Sequence, residues 1–438
     1  LQWAGKGLSG VLRGGWAARS GVFSVALRPE VAWAENRDFA AFDTTLVNRK
    51  PGAYPWHARR IDWPLRPGDE SELLVGPGES YLAADLGALE LALSSEQLTW
   101  GPGLAYPLLL GPGAPGFPHL SLSTLRPLGL GGFGTLEAQL LWGLLDESDH
   151  FDFDDDNDRR LLSGLVVSLQ PRILPGFSVG AAGLVHSSAS DFSGSDLFNF
   201  LQVPVEGEEG EANVDGLASL FARWAVPGSG FEAWAEWARD DYSFTVVDLL
   251  SEPDHSQAYG AGFQQVGRWR DGLVRLSGEL VHLTNDEPDI EVEGGRSRNA
   301  GFYTHFALAQ GHTHRGRLLG APVGLGSDAQ RLRLDFLRDG RLWGFGVERV
   351  RWDDDSYVRW LSDAYGAEGH DVELALGLRH ARPLGDLRLE LEGDLGLRRN
   401  RHFHNRAEPD PDFAWESNLR LQAALTWVPG GWVPGDGP

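Results

Sequence analysis

The chain has 438 residues, with 62 acidic against 38 basic side chains and a formal net charge of -24. That charge repels phosphodiester backbones and argues against a nucleic-acid partner. No apolar run reaches about 18 residues, so a membrane helix is excluded, but a membrane barrel is not, because its strands present only every second side chain to lipid. Gly 57, Trp 17, Phe 21 and Tyr 8 in a chain only 42% hydrophobic describe many strands, many turns and aromatic bands. Cysteine is absent, which fits export. A start at Leu1 with no Met anywhere is expected of a mature or trimmed chain whose signal peptide has been removed. Lys6 and Lys50 are the only lysines, so nearly all positive charge is Arg, whose fork grips carboxylate or phosphate.

In chain order, alternating strand patterns are expected near 8–18, 22–35, 79–86 and 88–98. The segment 36–78 carries Trp56, Trp63 and several prolines and reads as a non-strand insert, either luminal or loop. A second insert, 99–133, opens on the breaker Trp100-Gly101-Pro102-Gly103 and continues through repeated Gly and Pro that no sheet ladder accepts. Leu108, Leu109, Leu110 and Phe117 within it need cover from water and its backbone needs partners, so the inside of a barrel is its expected place. Further strands are expected near 134–145, 161–170, 176–187, 213–224, 231–239, 256–267, 272–283, 301–309, 328–337, 341–352, 370–380, 386–398 and 415–427. Between 386 and 398 leucines 387, 389, 391, 395 and 397 share one face, while Arg388, Glu390, Glu392, Asp394 and Arg398 share the other.

Connections alternate in length. Short ones carry turn chemistry, such as Asp271-Gly272, Asp339-Gly340 and Gly385-Asp386, and long ones are polar, such as 146–160, 188–212, 240–255, 284–300, 353–369 and 399–414. Short periplasmic turns and long external loops define an outer-membrane barrel. Its strand number is normally even, so one more strand is expected where the alternation breaks, at His119 to Leu125, giving about 18. The fold class is therefore all-β: one transmembrane antiparallel β-barrel over 1–438, with Gly/Pro-rich inserts occluding the lumen.

Several motifs carry candidate chemistry. Asp152, Asp154, Asp156 and Asp158 stand at alternate positions, as in the first half of a calcium loop, although Ser163 replaces the closing Glu. The competing reading is a solvated acidic loop tip. His312 with His314, and His402 with His404, sit at alternate positions that zinc accepts, but no spacing fixes a third ligand. His186-Ser187-Ser188 and Thr284 beside His282 lack any nucleophile-elbow context, so no enzyme is expected. Asp353, Asp355, Tyr357, Arg359 and Trp360 in one long loop, with Tyr242 in another, mix the aromatic faces and polar groups that sugars need. The interfacial aromatic belt explains Trp142, Trp237, Trp352 and Trp427 without a ligand.

Trp100-Gly101-Pro102-Gly103, Ala114-Pro115-Gly116-Phe117-Pro118-His119-Leu120, Ser123-Thr124 and Arg126-Pro127 together resemble the Wzi family of capsule-assembly outer-membrane proteins. Ile61-Asp62-Trp63-Pro64-Leu65-Arg66 and Gly76-Pro77-Gly78-Glu79-Ser80 fit upstream, and Tyr303-Thr304-His305, Gly311, Arg315-Gly316-Arg317 and Leu319-Gly320 fit downstream. The resemblance implies a monomeric, occluded barrel in the bacterial outer membrane, surrounded by its lipids. It also implies a non-enzymatic, lectin-like role in organising capsular polysaccharide or exopolysaccharide. The family's helical material at the periplasmic end is not evident in this chain. The rival expectation is a diffusion channel for small solutes, with charged strand faces lining an open pore. A soluble β-propeller or carbohydrate-binding protein is the third. No cofactor is expected beyond the calcium just described.

Overall fold

The computed structural model describes residues 5–39, 54, 60–151, 158–190, 194, 196–201, 214–240, 256–284, 301–305, 308–358, 369–403 and 415–427. Its first strands are β1 (Ser9–Arg13), β2 (Trp16–Ser20), β3 (Phe23–Leu27), β4 (Glu30–Ala34), β5 (Glu72–Gly76), β6 (Tyr81–Asp85), β7 (Leu89–Ser94), β8 (His119–Thr124) and β9 (Leu128–Gly129). There follow the long strands β10 (Gly134–Asp146), β11 (Arg159–Pro171), β12 (Phe177–Ser188), β13 (Val214–Ala225), β14 (Phe231–Asp240), β15 (Gln257–Trp269) and β16 (Gly272–His282). A small hairpin, β17 (Thr313–His314) and β18 (Arg317–Leu318), precedes β19 (Asp328–Arg338), β20 (Arg341–Trp352), β21 (Asp371–Leu384), β22 (Leu387–Arg399) and β23 (Glu416–Trp427). Eighteen of these form one antiparallel barrel sheet with β2 and β23 as its end strands, and β1, β4 and β5 form a three-stranded sheet at the long-loop end. The hidden strand lies where the broken alternation placed it: β8 pairs with β7 and β10, and β9 continues along β10.

Three sequence expectations are corrected. The run 301–309 is not a strand in its described residues; Phe302 and Tyr303 are buried inside the barrel. The insert 36–78 contains β5, which pairs with β4. The runs 8–18 and 22–35 are each broken in two, at Gly14-Gly15 and at Pro29. Pro77-Gly78 breaks the next strand at the same level. There Gly78 has φ 57, and a Cβ on it would stand 2.2 Å from the Arg28 carbonyl oxygen, so only glycine lets the two chains approach.

Contacts that reach past intervening strands, Arg333 to Glu392 and Arg379 to Asp335, fix which face points inward. Arg333 on β19 reaches Glu392 on β22 at 3.3 Å, past β20 and β21, and Arg379 on β21 reaches past β20 to Asp335 on β19 at 2.7 Å, where Arg275 of the adjacent β16 joins it at 2.7 Å. Such bonds close only across the interior. The alternate residues Leu391, Leu395 and Leu397 are exposed on the outer face, where lipid solvates them. The period-two division of 386–398 is therefore a lipid face and a luminal face. Aromatics cluster at both ends of the outer face, with Tyr259 stacked on His282 at 4.7 Å at the loop end and Trp343 on His380 at 3.9 Å at the turn end.

The second insert fills the lumen. The Trp100 indole donates to Gln139 on β10 at 2.7 Å, and the amides of Leu104, Ala105 and Tyr106 donate to the Glu279 carboxylate on β16 at 2.8–3.1 Å. The Tyr106 hydroxyl donates to Glu348 on β20. Gly101 lies against Glu236 on β14, where a Cβ would come within 2.6 Å of the carboxylate. Strands on several sides of the barrel thus hold one irregular segment, and Leu108, Leu109 and Leu110 inside it are fully buried. The 301–327 region packs on top: the Tyr303 hydroxyl donates to Leu108 O at 2.6 Å, and Gly111 N donates to Leu319 O at 2.6 Å.

Candidate ligand-binding cleft

Above this plug a cavity of about 2770 Å³ opens at the long-loop end and continues as a groove between β1–β2 and β23 down to Trp427 at the turn end. Its walls come from β1, β23, the ends of β20, β21 and β22, and the segments around Trp63, Glu147 and Arg315. One wall is aromatic. Tyr54 and Trp63 stack at 5.0 Å, and Trp63 covers Gly324, whose φ of 81 and lack of Cβ leave room for the ring. The Tyr54 hydroxyl donates to Asp353 at 2.6 Å. Burial pushes the Asp353 carboxyl up to about 6.

Trp352 forms a second aromatic face. Its indole N–H donates to Glu373 at 3.1 Å, while the Arg398 guanidinium lies 4.6 Å over its ring and is held by two 2.7 Å bonds to Asp371. Asp371 also accepts the His402 amide at 2.8 Å. The chain 352–353, the start of β21 and the end of β22 are thereby locked together, so Trp352 is presented to the cleft in one orientation.

The opposite wall is charged. Asp146 is shared by Arg315 at 2.9 Å and Arg159 at 3.4 Å, and both guanidiniums stay well exposed. Asp62 is fully buried and accepts from Ser148 N, Ser148 Oγ and Gly316 N at 2.7, 2.5 and 3.1 Å, pinning three segments of that wall. Burial raises the Glu147 carboxyl to about 7, and it accepts from Gln310 at 2.6 Å. Stacking faces, guanidiniums and carboxylates around an open cleft match the surface of a sugar, which offers apolar C–H faces ringed by hydroxyls.

The sites expected from sequence are placed unevenly. Asp353 lies on the cleft but is engaged by Tyr54 and by the Ser356 amide, which it caps at 3.3 Å. Asp355 is 2% exposed and points into the protein. Tyr357 is packed between His370, at 4.4 Å, and Phe403, at 5.7 Å, and supports the cleft rim. Arg359, Trp360 and Tyr242 lie outside the described residues, as do Asp152, Asp154 and Asp156; Asp158 lines the cleft. Among the described residues no three metal-capable side chains converge. His312 uses both ring nitrogens, donating to Leu109 O at 2.5 Å and accepting from His186 at 2.9 Å, and burial lowers it to about 4. His404 lies outside the described residues. Sequence reading missed Tyr54, Glu373 and Arg315 as cleft residues, and used Trp63, Trp352 and Arg398 only as family motif, belt and strand face. No local pattern joins them, because the cleft is assembled from segments hundreds of residues apart.

A barrel with a lipid-facing apolar belt, short turns at one end, long loops at the other and a filled lumen is an outer-membrane β-barrel protein. A family model for capsule assembly protein Wzi matches residues 7–338, and the chain belongs to that family. Among solved structures it is similar to Wzi of Escherichia coli, with TM-score 0.63 and 12% identity over 95% of this chain and 77% of that one. That protein is described as an outer-membrane protein involved in group 1 capsule assembly and as a carbohydrate-binding β-barrel. Weaker likenesses are to OccAB2 of Acinetobacter baumannii, with TM-score 0.42 and 12% identity over 95% and 91%, and to OccK11 of Pseudomonas aeruginosa, with TM-score 0.40 and 14% identity over 95% and 88%. No curated protein matches the chain by sequence.

Proposed function

We propose that this capsule-assembly protein is a non-catalytic, lectin-like anchor that holds capsular polysaccharide or exopolysaccharide at the cell surface, with the polymer lying in the loop-end cleft. The observation that carries this reading is the pairing of an open, aromatic and charged cleft on the outside with a lumen filled beneath it. Trp63 and Trp352 stack sugar faces; Arg315, Arg159 and Glu147 take hydroxyl or carboxylate groups. Arg359, Trp360 and Tyr242 add aromatic faces and a guanidinium to the polymer contact. A calcium ion on Asp152, Asp154, Asp156 and Asp158 would bridge an acidic polymer to this negatively charged chain. Single sites need only weak affinity, since one polymer engages many copies on the same cell. The diffusion-channel reading is disfavoured by the segment 100–118, which bonds to several strands across the lumen.

The test is capsule retention in a deletion strain complemented with Trp63→Ala/Trp352→Ala. Cell-bound polysaccharide should fall several-fold and free polysaccharide rise, with the barrel inserted normally. Retention equal to wild type removes the cleft from the binding site.

A further inference from the structure

Five luminal arginines of the long strands are matched with carboxylates: Arg275 and Arg379 with Asp335, Arg333 with Glu392, Arg398 with Asp371 and Arg388 with Glu390. On the outer face at the turn end the pattern changes. Arg338 stands directly opposite Arg341 in the β19–β20 ladder. Leu342 pairs with Ala381, which sets Arg382 of β21 beside Arg341. The alternation of exposure along these strands turns all three side chains outward, in one row just beyond the Trp343–His380 pair.

Like charges directly opposite one another on a sheet are unfavourable unless something offsets them. Arg338 meets Asp271 at 3.0 Å and Asp339 at 3.4 Å, and both carboxylates are mostly in solvent. Arg341 and Arg382 make no side-chain hydrogen bond or ion pair among the described residues. The ladder therefore sets two guanidiniums without carboxylate partners side by side on the outer face, next to Arg338. An apolar shelf of exposed Phe345, Leu376 and Leu378 runs from this row into the lipid belt.

We propose that Arg338, Arg341 and Arg382 form a site for the phosphate of an anionic phospholipid in the leaflet at the short-turn end, with its acyl chains on the Phe345–Leu376–Leu378 shelf. Planar guanidinium forks take phosphate oxygens bidentately, and the shelf sets the headgroup at their height. The ligand is a lipid and not free phosphate, because the row opens onto hydrocarbon.

Native mass spectrometry of the full chain with phosphatidylglycerol or phosphatidylcholine tests this. The wild type should retain phosphatidylglycerol several-fold more than phosphatidylcholine, and Arg341→Gln/Arg382→Gln should erase that preference while Arg349→Gln/Arg399→Gln, at the other rim, leaves it. Equal retention of both lipids by the wild type, or an undiminished preference in Arg341→Gln/Arg382→Gln, overturns the proposal. A second measurement needs no variant: amide exchange in the 338–341 hairpin should slow several-fold in nanodiscs containing phosphatidylglycerol relative to phosphatidylcholine alone, and identical exchange rates count against the site.

Discussion

Asp353 shows how a residue that reads as a sugar ligand can be turned to another use. It belongs to Trp352-Asp353-Asp354-Asp355-Ser356-Tyr357, a mixture that suggests a binding loop, yet its carboxyl accepts from Tyr54, 299 residues away. Nothing in the local sequence announces that partner. Burial raises the carboxyl to about 6, above its unfolded value of about 3.9. A raised folded pKa means that protonation favours the folded state. The stabilisation is complete below about pH 4 and is lost as pH rises through about 6. Asp353→Asn keeps an acceptor for Tyr54 but cannot titrate. The melting temperature of the wild type minus that of this variant should therefore fall by a few degrees between pH 4 and pH 7. A difference that stays flat across this window would remove Asp353 as the titrating group.

At the scale of elements, strands were legible because a lipid face and a luminal face impose a strict period of two over ten or more residues, as in β22. Periodicity failed at 301–309 for a physical reason. Phe302, Thr304, Phe306 and Leu308 alternate like a strand, but residues 301–305 are all buried inside the barrel, so the spacing does not divide a covered face from an open one. The luminal insert was legible as an exclusion, since Gly and Pro bar it from the sheet. Its anchors were not, because Glu236, Glu279 and Glu348 look like any inward-facing strand carboxylate.

Two predictions belong at this level. Glu279→Ala leaves the amides of Leu104, Ala105 and Tyr106 without their acceptor, at about 1–3 kcal/mol for each donor left unsatisfied. Planar-bilayer recordings should show little current for the wild type and frequent, larger openings for the variant. Leu376→Arg puts a charge on the lipid face of β21 and should cost about 2–4 kcal/mol if it lies near the midplane, read as a lowered denaturant midpoint of refolding into vesicles. Gln422→Arg, on the luminal side of β23, should cost far less, and equal losses would contradict the assignment of faces.

For the whole molecule, the acidic total charge and the almost exclusively arginine cations fit a wall of internal ion pairs around a plug. The class of fold followed from composition and from alternating loop lengths, which are global properties of the chain. The cleft did not, because β1, Trp63, Arg315, Trp352 and Arg398 meet only once the sheet is rolled up and filled. The central claim is that this cleft holds the polysaccharide. It is tested most directly by binding of purified capsular polysaccharide, from the strain that carries the protein, to the immobilised, detergent-solubilised barrel. The wild type should bind and Trp63→Ala/Trp352→Ala should bind at least about tenfold more weakly, a loss of about 1.4 kcal/mol. No binding by the wild type, or the same affinity in both proteins, would contradict it.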